Sequence, residues 1–225
     1  MTMAFDPRDI RHLVILGHPA GPSFNHSVAE AYCAAVEESG QTAILRDLYA
    51  FGFDPLLKAG ERPGVGYAPG ADVLPELDLV RDSAVLVLVY PIWFGMPPAI
   101  IKGYVERVLG AGLAPRDIRM GTPHASLRGK SLVILSSSAS TRPWLEEQGQ
   151  WVSLRQAFDT YLTTVFSLEG NDHLHFDAIV ENLDERVVRE NLALVREQAR
   201  KTCSIMLSER RARHAEAAER SEAGR

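Results

Sequence analysis

The clearest hydrophobic pattern in the chain is the apolar run AVLVLVY at residues 84–90, in which polar and apolar residues do not alternate. Such a run is typical of a strand in a parallel sheet, where helices cover both faces. The residues that follow predict a helix that begins at Pro97 and Pro98 and ends before Gly110. Its apolar residues recur at three- and four-residue spacing and are Ile100, Ile101, Tyr104, Val105, Val108 and Leu109.

Three apolar residues, Trp93, Phe94 and Met96, lie in the short loop between this strand and helix. Loops at protein surfaces are normally polar, so this apolar surface needs a partner. A loop folded onto the core, a contact between two subunits and a binding site for a planar ligand are the three alternatives. In open α/β sheets, ligands bind beyond the carboxyl ends of the strands, which is where this loop lies.

Strand and helix patterns alternate about five times along the chain, which predicts an α/β fold with a doubly wound parallel sheet. Further strands are predicted at residues 12–17, 42–47, 131–136 and 173–180, and further helices at 25–39, 75–82, 151–162 and 184–207. Asn25 or Ser27 is the expected cap of the helix at 25–39. The Gly- and Pro-rich residues 48–74 predict an ordered surface excursion. Residues 1–207 form one predicted domain, and the charged tail 208–225 is expected to be frayed helix or disorder.

Composition excludes several classes of protein. The chain has 225 residues, of which 46% are hydrophobic and 24% charged, as is ordinary for a globular protein. No apolar run reaches the ~18 to 20 residues that span a bilayer, and the amino end lacks a signal-peptide pattern, so we expect a cytoplasmic protein. The net charge of -5 argues against a nucleic-acid partner. Cys33 and Cys203 lie in helical patterns and are expected to be buried or half-buried thiols.

The loops after the first, third and fourth predicted strands meet at one edge of the sheet and share a chemical character. The first contains His18, Ser23 and Asn25 directly before a helix, whose free amides and dipole favour a phosphate group. The loop after the third strand supplies aromatic and proline side chains. The loop after the fourth strand, at residues 136–141, supplies small residues and hydroxyl groups. Together they indicate a nucleotide-like pocket that suits a flavin.

Three passages spread over about the first half of the chain carry a family resemblance: LVILGHP followed by SFN, RDLYAFGFDPLL, and YPIWFGMPPAIIKGYVERVL. They resemble the flavodoxin-like NAD(P)H dehydrogenase (quinone) family, which includes quinone reductases, modulator-of-drug-activity reductases and the ancillary reductases of potassium efflux systems. The resemblance implies a five-stranded sheet in the order 2-1-3-4-5, bound FAD or FMN, and a homodimer. It also implies hydride transfer from NADH or NADPH through the flavin to a quinone-like acceptor by a ping-pong mechanism.

The resemblance also assigns residues to a cofactor site, position by position. Around the flavin phosphate or pyrophosphate it implies His18, Ser23, Phe24, Asn25 and Ser27. Along the isoalloxazine ring it implies Pro91, Ile92, Trp93, Phe94 and Gly95. Beneath the pyrimidine end it implies Ser136, Ser137, Ser138 and Ala139, where relatives commonly have Thr-Thr-Gly-Gly. Trp144 and Phe94 are the candidates for contact with the substrate.

The chain departs from the family pattern in three respects. The glycines of the fourth-strand loop are missing, and only Ile92 separates Pro91 from Trp93 where many relatives have two residues. Mammalian members use a Tyr and a His shortly after the fourth strand to stabilise charge on the reduced flavin, and TRPWLEEQGQW contains neither. No catalytic residue is therefore predicted. Trp144 and Gln148 are candidates to fill that space, and Arg142 is a candidate partner for the NADPH phosphate.

Other functions remain as alternatives. A flavin-binding regulatory or accessory subunit with little turnover would show the same pocket. His18, taken without its neighbours, fits a solvated residue at a strand end. His173 and His175 share one side of a strand and could begin a metal site, although no third ligand is apparent and a structural role is favoured. A serine hydrolase is a weaker alternative, because the serines at 136–140 lack a Gly-x-Ser-x-Gly elbow and no His or acid is evidently paired with them.

Overall fold

Five parallel strands form one sheet through the middle of the protein. The structure is a computed structural model that describes residues 6–19, 21–64, 66–122 and 124–223. The strands are β1 (Arg11–Leu16), β2 (Thr42–Asp47), β3 (Val85–Pro91), β4 (Ser131–Ser137) and β5 (Gly170–Phe176). They pair in parallel in the order β2-β1-β3-β4-β5. The predicted α/β fold class and strand order are confirmed.

Helices lie on both faces of the sheet. They are α1 (Phe24–Glu38), α2 (Leu74–Asp82), α3 (Ala99–Tyr104), α4 (Pro115–Met120), α5 (Arg142–Glu147), α6 (Gln150–Leu154), α7 (Tyr161–Val165) and α8 (Glu185–Ala223). π-helical segments continue α3 at Val105–Leu109 and join α6 to α7 at Arg155–Thr160. Short 3-10 turns occupy Pro7–Asp9 and Ala59–Glu61. The chain from residue 208 to 223, expected as frayed helix or disorder, continues α8, and the short helix α4 was not predicted.

The predicted cap of α1 and the predicted range of β5 are wrong. The cap of α1 is Ser23, neither Asn25 nor Ser27, because extended Ser23 accepts the amide hydrogen of His26 on its side-chain oxygen. Strand β5 begins at Gly170 and ends at Phe176, where the prediction was 173–180. Its pairing explains the shift, because Gly170 lies opposite Ser131 and Phe176 opposite Ser137, so β5 spans the same length as β4.

Alternate residues of the central strands enter two separate hydrophobic cores. One face of the sheet packs with α2, α3 and α5 to α7 and buries Leu13, Ile15, Leu86, Leu88 and Ile134. The other face packs with α1 and α8 and buries Val14, Leu16, Val87, Val89 and Leu135. This period-two division explains why the central strands are apolar at nearly every position.

The irregular chain between β2 and α2 packs closely against α3. A Cβ atom on Gly103 would lie 2.4 Å from both the Cβ and the carbonyl oxygen of Pro55, so only glycine permits this approach. The segment is thereby held beside the sheet, as expected for an ordered excursion.

Both cysteines are free thiols, with Cys33 half-buried and Cys203 buried, as predicted. Across the described residues, no helix combines the length and the apolar character needed to span a bilayer.

Candidate functional site

A cavity of about 810 Å³ opens at the carboxyl edge of the sheet. Its volume falls in the range of about 300–1,000 Å³ that is typical of sites for small molecules and cofactors. The loops after β1, β3, β4 and β5 form its walls, together with residues of α1, α5 and α6. Three of these four loops are the ones that the sequence predicts to converge.

Most of the predicted site residues lie in the cavity wall. They are His18, Ser23, Phe24, Asn25, Pro91, Ile92, Trp93, Phe94, Gly95, Ser137, Ser138, Ala139 and Trp144. Two of the residues assigned to the flavin site do not line the cavity. Ser27 lies in the second turn of α1, and Ser136 is completely buried within β4.

The start of α1 forms the polar corner of the cavity. Ser23 caps the helix, so its oxygen satisfies the His26 amide. The first amides of the helix, those of Phe24 and Asn25, have no partner within the helix because no preceding turn exists. An anionic group in this corner would meet both the amides and the positive end of a 15-residue helix.

Asn25 joins α1 to β4 beneath this corner. Its side-chain nitrogen donates to the Ser137 hydroxyl oxygen at 3.0 Å, and the Ser137 oxygen lies 3.2 Å from the Asn25 carbonyl oxygen. Asn25 is 4% exposed and Ser137 is 3% exposed. The pair therefore fixes the helix start against the β4 loop and holds two cavity walls in register.

His26 is a further polar residue that the sequence analysis missed. Its Nδ1 lies 2.7 Å from the Ser23 oxygen, and its Nε2 lies 3.2 Å from Asp47 Oδ2 at the end of β2. His18 packs edge-on against the same ring, with 5.8 Å between the ring centroids. The sequence contains a signal for this contact, which is a His three residues after a helix-capping Ser. Residues three apart at the start of a helix lie beside each other.

The aromatic wall is a tight turn between β3 and α3. The amides and carbonyls of Trp93 and Met96 exchange hydrogen bonds of 3.0 and 3.1 Å. Phe94 and Gly95 at its tip have φ angles of 50° and 80°, as in a type I′ turn. Phe94 is fully exposed, and Trp93 is 41% exposed. The loop is therefore not folded onto the core, which removes one of the three alternatives for its apolar side chains.

The opposite wall comes from β4 and β5. Ser138 donates its amide hydrogen to the Phe176 carbonyl and accepts the Ile179 amide on its own carbonyl, so the two loops are joined. Ile179, Val180, Glu181 and Asn182 then complete the lining, and none of them was predicted. Because the predicted strand extended to residue 180, Ile179 and Val180 were assigned to the sheet rather than to the loop at its edge.

A serine, a histidine and an acid are in fact paired beneath the cavity, contrary to the sequence analysis. Ser136 Oγ lies 2.6 Å from His173 Nε2, and His173 Nδ1 lies 2.6 Å from Asp159 Oδ2. The hydroxyl also lies 2.8 Å from His175 Nδ1. Ser136 is completely buried, so no substrate carbonyl can reach it, and a serine hydrolase remains unsupported.

The two histidines of β5 lie within hydrogen-bond distance of serines of β4 and its loop. Residues described by the structure include no cluster of three or more His, Cys, Asp and Glu side chains suited to a metal. Burial, and then the neighbouring His173, lower the pKa of His175 to about 4. Its ring is therefore neutral near pH 7, and it exchanges hydrogen bonds with Ser136 and Ser138.

Arg142 and Gln148 lie outside the cavity lining. The Arg142 Nε donates to Glu146 at 2.9 Å, and its guanidinium packs over Trp151 at 4.8 Å from the ring centroid. Gln148 forms the exposed end of α5, while Gln150 at the start of α6 reaches the cavity.

Comparison with known proteins agrees with this architecture. Residues 10–202 match the sequence profile of a family described as having a flavodoxin-like fold. An uncharacterized NAD(P)H oxidoreductase of Haemophilus influenzae is 26% identical over 89% of this chain and 100% of its own length. NAD(P)H dehydrogenase [quinone] 1 of Cavia porcellus is 32% identical over 46% of this chain and 44% of its own.

A solved structure shares the same fold over nearly its whole length. It is an NAD(P)H:quinone oxidoreductase from Methanothermobacter marburgensis, with a TM-score of 0.74 and 25% identity over 86% of this chain and 96% of that one. The chain therefore belongs to the flavodoxin-like fold family, and its predicted membership of the NAD(P)H dehydrogenase (quinone) group is confirmed.

Proposed function

We propose that the protein is a flavin-dependent NAD(P)H oxidoreductase. In this proposal a flavin, FAD or FMN, binds in the cavity and passes hydride from NADH or NADPH to a quinone-like acceptor by a ping-pong mechanism. The observation that carries the proposal is the convergence of a phosphate-binding corner, an aromatic wall and a small hydroxyl-bearing wall on one cavity. The names of the relatives, NAD(P)H oxidoreductase and NAD(P)H dehydrogenase [quinone], support the donor and acceptor classes.

The residues of the cavity fit the parts of a flavin. The start of α1 offers the amides of Phe24 and Asn25 to a phosphate group. Trp93 and Ile92 offer apolar surface to a tricyclic ring. Ser138 and Ala139 have small side chains, which leave space for the edge of that ring. An apolar wall facing polar groups at the rim is the usual arrangement for a planar cofactor with a charged tail.

A bound flavin would supply the hydride chemistry, accepting two electrons from the nicotinamide and giving them to the acceptor. The protein's own residues orient and shield the reactants. Phe94 and Trp144 stand exposed at the cavity mouth, where they can cover one face of a planar substrate and exclude water. In this proposal the donor and the acceptor would bind in turn over the same face of the flavin, as a ping-pong mechanism requires.

We also propose that the protein forms a homodimer through the face around the cavity mouth. Exposed apolar side chains at or beside this face include Trp93, Phe94, Met96, Trp144 and Val180. Surface of this kind is typical of subunit contacts. Light scattering after size-exclusion chromatography tests the assembly, and a monomer at tens of micromolar protein would contradict it.

The first experiment is the absorption spectrum of the purified protein. We expect a yellow protein from which heat releases FMN or FAD, identified by chromatography and mass spectrometry. A colourless protein that remains so after soaking in FMN or FAD and desalting would overturn the flavin proposal.

Turnover separates the enzyme from the accessory-subunit alternative. Mixing the flavin-loaded protein with excess NADH or NADPH and a panel of quinones, azo dyes and free flavins should give sustained oxidation of the nicotinamide. Initial rates at varied donor and acceptor should give parallel double-reciprocal lines. A single stoichiometric bleaching without turnover would instead indicate a regulatory or accessory subunit.

A further inference from the structure

A chain of buried hydrogen bonds runs from the helical layer to the cavity wall. Asp159 Oδ2 lies 2.6 Å from His173 Nδ1, and His173 Nε2 lies 2.6 Å from Ser136 Oγ. Ser136 Oγ lies 2.8 Å from His175 Nδ1, and His175 Nε2 lies 3.1 Å from Ser138 Oγ. Each link is within hydrogen-bond distance, and the last residue lines the cavity.

The carboxylate of Asp159 sets the direction of these bonds. Because it accepts the Nδ1 hydrogen of His173, the Nε2 of a singly protonated His173 must accept the Ser136 hydroxyl hydrogen. The Ser136 oxygen is then the acceptor for the Nδ1 hydrogen of His175. His175 Nε2 in turn accepts the hydroxyl hydrogen of Ser138. In this arrangement every ring nitrogen and hydroxyl of the linked residues has one role.

The Ser138 hydroxyl has a second acceptor within reach. Its oxygen lies 2.7 Å from the Ser140 carbonyl oxygen as well as 3.1 Å from His175 Nε2. A hydroxyl carries one hydrogen, so it donates to one of these acceptors at a time. If His175 carries its hydrogen on Nε2 and donates to Ser138, the Ser138 hydrogen turns to Ser140. The geometry thus accommodates two proton arrangements that differ along the whole chain.

Asp159 is the only carboxylate among the residues that these bonds link, so it is the group that can pair with a positive charge on the chain of bonds. The side chains of Asp159 and His173 are fully buried, and Arg155 Nε of the π-helical segment lies 2.9 Å from the same Asp159 oxygen, so this oxygen already has one cationic partner. Trp151 of α6 covers both imidazoles, with 5.0 Å between ring centroids in each case.

The remaining charged and titratable groups near the two rings come from α5, β3 and the end of β5. Arg142 lowers the pKa of His175 and Asp177 raises it, both less strongly than burial. The buried Tyr90 hydroxyl of β3 and the Oδ1 atom of Asp159 have no hydrogen-bond partner among the described residues. A carboxylate with one unpaired oxygen in a buried site gains most from a cationic ring beside it.

We propose that Asp159, His173, Ser136, His175 and Ser138 form a proton relay that compensates negative charge delivered to a planar ring in the cavity. The relay rests on the proposed flavin function. A proton from solvent binds the Ser138 oxygen as the Ser138 hydrogen moves to His175 Nε2. The His175 Nδ1 hydrogen moves to Ser136, and the Ser136 hydrogen moves to His173 Nε2. The net change is one added proton on His173, paired with Asp159, and no bond between heavy atoms forms or breaks.

The relay occupies a different part of the fold from the charge-stabilising pair that the family resemblance implies. That pair follows the fourth strand, where this chain has no Tyr or His. Here both imidazoles come from β5 and the acid comes from the segment before α7. Residues of the relay act through Ser138, so they are positioning and proton-holding residues.

The test is the pH dependence of the midpoint potential of the bound flavin between about pH 6 and 8, because its slope counts the protons taken up on reduction. We expect about two protons per electron pair in the unsubstituted protein and about one in Ser136→Ala and His175→Gln, which interrupt the relay. Ser131→Ala is the matched control, because Ser131 lies at the opposite end of β4, where its hydroxyl contacts Met206 away from the cavity, and it should keep the unsubstituted slope. Equal slopes in Ser136→Ala and the unsubstituted protein, with flavin bound in both, would overturn the relay alone.

A second measurement needs neither flavin nor a variant. Long-range ¹H–¹⁵N spectra of the histidine-labelled protein near neutral pH should show His173 and His175 with their hydrogens on Nδ1, the tautomer that the bond directions require. A hydrogen on Nε2 of either ring would overturn the proposed resting arrangement even if the protein binds no flavin. Failure to bind FMN or FAD would instead overturn the proposed function, so the two failures are distinguishable.

Discussion

Arg107 and Glu61 form a buried bidentate ion pair between α3's π-helical extension and the irregular chain before α2. Arg107 Nε and Nη2 donate to the two oxygens of Glu61 at 2.7 and 2.6 Å, and both side chains are essentially unexposed. The same guanidinium donates to Asp72 at 2.8 and 3.0 Å and to the Asp54 carbonyl. One side chain thus anchors three points of a segment that has little regular structure of its own.

We predict that Arg107→Met destabilises the protein strongly. Removing the cation leaves Glu61 buried without its partner, and breaking a buried pair in this way costs about 3–5 kcal/mol. Chemical denaturation followed by circular dichroism measures the free energy of unfolding. Limited proteolysis should also cut first between β2 and α2, because that segment loses its anchor.

Lys102→Met is the matched control on the same helix. Lys102 pairs with Glu106 one turn away, and both side chains are about half exposed. An exposed pair of this kind contributes at most about 1 kcal/mol. Equal losses from Arg107→Met and Lys102→Met would contradict the anchoring role of Arg107.

The ion pair also predicts loss of stability in acid. Hydrogen bonds from Arg107 lower the pKa of Glu61 from 4.5 to about 2. Because the folded-state pKa is the lower one, the stabilisation is complete above about pH 4.5 and is lost as the pH falls towards 2. The lowering of the Glu61 pKa corresponds to about 3 kcal/mol in the free energy of unfolding. The free energy of unfolding of Glu61→Gln should therefore lie below that of the unsubstituted protein at neutral pH and approach it near pH 2.

Two buried histidines predict a second loss at milder pH. Burial lowers the pKa of His12, which bonds to Tyr32 and Gln41, to about 4, and that of His175 falls to a similar value. In the unfolded chain both rings protonate near pH 6.5. The unfolded state therefore binds more protons between about pH 6.5 and 4, and stability falls as the pH falls through this window. His12→Asn should flatten the curve there, and an unchanged slope would contradict the assignment to His12.

The fold could be predicted because its signals are local. The run at residues 84–90 is apolar on both faces because it is β3, which lies between β1 and β4 with a core on each side. The helix after it begins at a proline pair and ends at Gly110, whose amide closes the last turn. The π-helical second half of this helix could not be predicted. The spacing of apolar residues does not distinguish the hydrogen-bond pattern of a π-helix from that of an α-helix.

The candidate site could be predicted where its residues are close in sequence. The loops after β1, β3 and β4 each carry their chemistry within a few residues of a strand end, and the structure brings them together. The β5 loop was missed because the strand's length depends on pairing with β4, which sequence periodicity does not reveal. The link from Asp159 to Ser136 also joins residues separated along the chain, and only the packing of the π-helical segment against the sheet brings them within reach.

The aromatic turn after β3 gives the most direct test of the cavity. Trp93→Ala with Phe94→Ala removes stacking surface from an exposed turn, so the two-core sheet should keep its cooperative unfolding while flavin affinity falls about tenfold or more. Ile118→Ala with Met120→Ala removes exposed apolar side chains from α4, which do not line the cavity, and is the matched control. Flavin retained per protein after extensive dialysis is the measurement. If the aromatic double variant retains as much FMN or FAD as the control, these rings do not hold the isoalloxazine.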